Sequence, residues 1–168
     1  MITPGYVRTM AHYNTWQNQN VYTSAAKLGD DDRKAHRGAF FGSIHATLNH
    51  ILWADQMWMW RFGAGPRPAA KTITDGIAQH ASWDGLSAAR TAFDAEIETW
   101  AAALSDRDLE GDLEWVSGGT GQNMQTKRWV AITHMFNHQT HHRGQVHALL
   151  TNSGVKPGIT DLPFQDAV

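Results

Sequence analysis

His134 to Leu150 read HMFNHQTHHRGQVHALL, with histidines at 134, 138, 141, 142 and 147 and apolar residues recurring at three- and four-residue steps. On a helix, residues four apart share a face, with Cβ atoms roughly 5–6 Å from each other. His138 and His142 can therefore hold one metal ion, and so can His134 and His138. Each four-residue step also turns about 40° around the axis, and the outer two of the three lie about 12 Å apart along it, so only one adjacent pair can bind. Extending the apolar stripe through Ile132, Met135, Val146 and Leu149 puts position 142 on the inward seam and 138 at its edge, which favours the His138/His142 pair.

A third ligand has to come from another helix. His50 is the candidate: it neighbours Ile51 on the inward side of a second amphipathic stretch and stands among Leu48, Trp53 and Trp58. Three neutral imidazoles leave coordination positions free, the layout of a catalytic rather than a closed structural site. They suit zinc or nickel first, with iron, copper or another divalent ion as further choices. The spacing of His138 and His142 also matches His-Glu-x-x-His, but Gln139 stands where that motif has its glutamate base, which disfavours peptide hydrolysis by that route.

The rest of the chain reads as scaffold around this pair. Thr3-Pro4 caps a first helix running to about Leu28, and DDDRKAHR gives one or two further polar turns. Ser43 caps a second long helix to about Phe62, with Ile44, Leu48, Ile51, Trp58 and Phe62 as its core stripe. GAGPRPAAKTITD is a loop long enough to carry the chain from one end of a bundle to the other. A third long helix starts near Trp83, with Leu86, Phe93, Ile97, Trp100 and Leu104 at near-heptad spacing. From Leu109 to Lys127 the helical period gives way to a hairpin around VSGGTGQ, which lacks the lysine of a phosphate loop. The last long helix runs from about Arg128 to Ser153. The expected architecture is all-α, one domain over residues 1–168, a four-helix bundle with a small β-hairpin before the last helix.

Composition narrows the chemistry. The chain has 168 residues, a net charge of −2 and no cysteine. There is no basic field to gather nucleic acid. No apolar run approaches membrane-spanning length, so the expected setting is cytoplasmic, without membrane partners. Thiolate ligands and cysteine nucleophiles are excluded, so any thiol must arrive with a cosubstrate.

TLNHILWAD (47–55) and FNHQTHHRGQ (136–145) resemble the two signature segments of the DinB/YfiT-like family, and YNTWQNQN (13–20) and AFFGSIHATLNH (39–50) resemble it as well. The similarity covers nearly the whole chain. It implies an up-down-down-up four-helix bundle, commonly a homodimer, with a divalent metal on His50, His138 and His142. It also implies a thiol-dependent transferase or isomerase using a low-molecular-weight thiol, although many members have no known reaction. The expected function is thus metal-dependent transfer to a small electrophile, with hydrolysis second. The competing class is a non-enzymatic metal-binding stress-response protein.

Other residues carry weaker expectations. Arg143 needs a carboxylate if buried, and Asp55 is the suggested partner, or else a fourth ligand that would close the metal site. His134 is expected to bond helix 1 amides or support the site, and His141 to be a surface or structural residue. Trp53, Trp58 and Trp60 line either a pocket or a core. Asn14 and Asn18 either orient ligands from behind or lie on the helix surface.

Overall fold

The computed structural model describes residues 1–118 and 120–165. Among the described residues six α-helices and one hairpin follow in order: α1 (Pro4–Ala25), α2 (Asp30–Lys34), α3 (Ile44–Arg61), α4 (Ile73–Gly76), α5 (Trp83–Ala103), β1 (Asp112–Val116), β2 (Asn123–Lys127) and α6 (Arg128–Asn152). The helix starts follow the sequence signals. Thr3, Ser43 and Ser82 each accept a backbone N–H of the first turn at the head of α1, α3 and α5, and Pro4 occupies a first-turn position where its missing N–H costs nothing.

Two boundaries differ from expectation. α1 ends at Ala25 rather than Leu28, because the N–H groups of Lys27 and Leu28 bond back three residues into a closing turn. The long loop after α3 contains a short helix, α4, started by a reciprocal cap in which Thr72 Oγ1 accepts from Asp75 N and Asp75 Oδ2 from Thr72 N.

α1 packs on α5 and α6, and α3 packs on α6 and α5. Ile44, Leu48, Ile51, Leu52, Leu86, Ile97, Ile132, Met135 and Phe136 fill the space between them. Each such side chain contributes about 1.5–3 kcal/mol on burial. The antiparallel hairpin sets Leu113 opposite Thr126 and Trp115 opposite Met124, and leads without a break into α6. Among the described residues no helix is long and apolar enough to cross a membrane.

A polar seam runs through this core. Asp55 Oδ2 accepts from Arg90 Nη1 at 2.7 Å and from Gln139 Nε2 at 2.6 Å. Arg90 also pairs with Asp94 at 2.8 Å, and Asp94 accepts from Asn18. Arg143 Nη1 donates to Gln139 Oε1 and to Asn14 Oδ1, both at 2.6 Å. The expected direct pair of Asp55 and Arg143 therefore does not form: Arg90 occupies the carboxylate, and Gln139 relays between Asp55 and Arg143. Asn14 and Asn18 are buried members of this seam, neither surface residues nor supports of the histidines.

Candidate metal centre

The structure brings His50, His138 and His142 together, with one ring nitrogen of each within 4.8 Å of the others. α3 supplies the first and α6 the other two. On α6 the buried positions Ile132, Met135, Phe136, Gln139, His142, Arg143, Val146 and Leu149 trace the inward seam, with His142 on it and His138 half-buried beside it.

Nε2 of His138 lies 3.2 Å from Nε2 of His50 and 3.1 Å from Nε2 of His142. These spacings cannot all be hydrogen bonds. An imidazole nitrogen has a single in-plane position, holding either a proton or a lone pair, so His138 Nε2 cannot serve both neighbours. Two nitrogens bound to one ion at about 2.0–2.1 Å stand about 2.9 Å apart at a right angle and about 3.3 Å apart at a tetrahedral one. The observed distances fall between these limits, so the donor set fits a shared divalent cation.

Neighbouring residues fix two of the three rings. His142 Nδ1 donates to Oε1 of Gln145 at 2.9 Å, which leaves its Nε2 as a bare lone pair facing the cluster. Gln145 in turn contacts Nε2 of His141, which gives that exposed histidine a structural bond. Phe41 lies over His50 with ring centroids 3.9 Å apart and also approaches His142. A tight turn from Ala39 to Gly42 delivers Phe41, closed by Gly42 N to Ala39 O, and Gly42 adopts φ +80, which glycine accepts without strain.

Burial pushes His50 down to about 4 and His138 down to about 3, and neighbouring imidazoles add to both shifts. His142 moves down as well, chiefly through burial. All three are therefore neutral near pH 7, the protonation state that ligation requires. Among the described residues no carboxylate joins the group. Asp55, the candidate closing ligand, is committed to Arg90 and Gln139, and burial pushes it up to about 6. Gln139 likewise faces the core seam rather than the cluster.

A cavity of about 400 Å³ opens onto His50 and His138, walled by Trp53, Met57, Trp58 and Trp115. Trp53 and Trp58 thus face the cavity, whereas Trp60 does not line it. His134 lines it too, its ring 5.1 Å from that of Trp58 and 5.7 Å from that of His138, rather than bonding α1 amides. Sequence reasoning missed Phe41, Gln145, Arg61 and Trp115. Of these Gln145 carried a signal, standing three residues after His142 on the same helix face, and Phe41 lay within the 39–50 stretch that resembles the family without its role being read.

Residues 1–167 match the family model described as DinB family. The chain is also 26% identical to Protein DinB of Bacillus subtilis (strain 168) over 158 residues, covering 89% of this chain and 87% of that protein. With the histidine cluster at the positions of the two signature segments and the family match spanning nearly its whole length, the chain belongs to the DinB family.

Proposed function

We propose that this protein is a metal-dependent enzyme that moves a low-molecular-weight thiol onto a small electrophile. The carrying observation is a three-histidine cluster that no described carboxylate closes and that faces an aromatic-walled cavity. His50, His138 and His142 would hold a divalent cation, zinc or nickel in the first place, within a four-helix bundle of up-down-down-up topology. When bound, such an ion supplies Lewis acidity, lowering the pKa of a thiol or water so that a nucleophile exists at neutral pH.

The chain's own residues do the remaining work. Gln145 and Phe41 hold ligand rings in orientation, and the tryptophans shed water from around the reactants. In the reaction the thiol proton leaves to solvent through the cavity mouth. Sulfur then forms a bond to the electrophilic carbon, whose leaving group departs with its electron pair. The absence of cysteine supports delivery of the sulfur from outside.

Consumption of a small thiol and an alkyl halide by zinc- or nickel-loaded protein tests this. The rate should require metal and vanish in His138→Ala. Full metal stoichiometry without any metal-dependent turnover would favour a non-enzymatic metal-binding protein, and metal-dependent ester cleavage would favour hydrolysis.

A further inference from the structure

The cavity beside the histidines carries an electrostatic feature that metal binding does not account for. Arg61, at the end of α3, and Lys71, in the loop before α4, are its two permanent cations, and no Asp or Glu lines it. Among the described residues neither cation forms an ion pair. The Arg61 guanidinium stands 4.5 Å from the Trp58 ring centroid and 5.6 Å from that of Trp115. Such stacking uses the faces of the guanidinium and leaves its N–H edge free. Its Nε is buried and has no hydrogen-bond partner. A guanidinium whose donors lack partners carries an uncompensated desolvation cost, which a ligand acceptor on its N–H edge would offset.

We infer that Arg61, fixed between Trp58 and Trp115 and assisted by Lys71 at the rim, is a carboxylate-binding subsite: the molecule that enters has an apolar or aromatic body, a reactive head at the histidines and an anionic tail at Arg61. This rests on the thiol-transfer reading for the head and on the cavity alone for the tail. A carboxylate suits the subsite because the planar edge of arginine can meet both its oxygens at once. Lys71 is exposed and adds charge at the mouth rather than a fixed bond.

The test titrates full-length protein, zinc-loaded and metal-free, by calorimetry with two matched pairs: ω-mercaptohexanoate against ω-mercaptohexanol, and para-mercaptomethylbenzoate against the corresponding benzyl alcohol. At least one acid should bind about tenfold more tightly than its alcohol, the scale of one charge-assisted hydrogen bond. Arg61→Gln should reduce the preference to within about twofold, a difference of under roughly 0.5 kcal/mol, with zinc content unchanged. Arg61→Lys should restore part of it. Arg67→Gln, whose side chain lies on Trp60 outside the cavity, should leave it intact. Acids that bind no better than alcohols, or a preference that survives Arg61→Gln, overturn the inference. The exposed Lys71 can be replaced without disturbing the core, so an acid preference indifferent to Lys71→Gln and to added salt overturns it too. An acid preference in a protein whose affinity for both members of each pair is unchanged by zinc upholds the subsite while removing the metal–thiol reading, so the two fail separately.

Discussion

The Nδ1–H of His142 is held by the side-chain oxygen of Gln145 one turn along α6, at 2.9 Å, so one tautomer is fixed before any cation arrives. Replacing Gln145 with Leu should keep the helix and remove that constraint. Loss of an outer partner of this kind costs about 10–100-fold in metal affinity. Competition titration with a chromogenic chelator measures it, and an unchanged affinity would show that packing alone orients the ring.

His50→Ala, His138→Ala and His142→Ala should each lose the cation at concentrations that saturate the wild type, while His134→Ala keeps full stoichiometry by elemental analysis. Bound metal stabilises the fold by mass action, about 2.7 kcal/mol at a hundredfold excess over Kd. At 168 residues that corresponds to a rise in Tm of about 5–10 °C, present in wild type and absent in the three ligand variants. Retained metal in all three would refute the ligand assignment, and loss in His134→Ala alone would indict the other pair on α6.

Acid should destabilise the metal-free protein in a defined window. Unfolded imidazoles take up protons near pH 6.5, whereas in the folded chain burial holds His50 down to about 4 and His138 to about 3. Between those values the unfolded state binds more protons, so stability present above about pH 6.5 is lost as the pH falls toward 4. The slope reaches up to about 1.4 kcal/mol per pH unit for each histidine. Urea denaturation of metal-free protein at stepped pH values measures it, and the double variant His50→Ala, His138→Ala should flatten the curve. An equally steep curve in that variant would assign the acid sensitivity elsewhere.

The polar seam should tolerate no single deletion. Arg90→Met leaves Asp55 and Asp94 buried without their cation, and Gln139→Leu separates Asp55 from Arg143. Removing one partner of a buried ion pair costs about 3–5 kcal/mol, and removing a neutral buried donor about 1–3 kcal/mol. Arg90→Met should therefore be the more damaging in chemical denaturation. The reverse order would mean that the arginine is already reached by solvent.

Local signals made much of this molecule legible. The caps at Thr3 and Ser43 and the three- and four-residue apolar steps fixed the long helices, because both act within one or two turns. The loss of helical period after Leu109 fixed the hairpin. The His138/His142 pair followed from helix geometry, and His50 from its inward position together with the signature segments. What escaped depended on contacts between distant segments. Asp55 follows His50 by five residues on the same helix and looks available in sequence, yet Arg90, thirty-five residues away, takes it. Phe41 reaches His50 through a glycine turn whose shape no periodicity encodes, and Trp115 meets Arg61 only because the hairpin folds back over α3.

Asp94, Arg90, Asp55 and Arg143, joined through Gln139, sum to zero charge within the buried core. Because a lone replacement strands a charge, neutral substitution at these sites demands compensating changes made together. An engineer seeking a plain hydrocarbon interior would have to exchange the whole set at once.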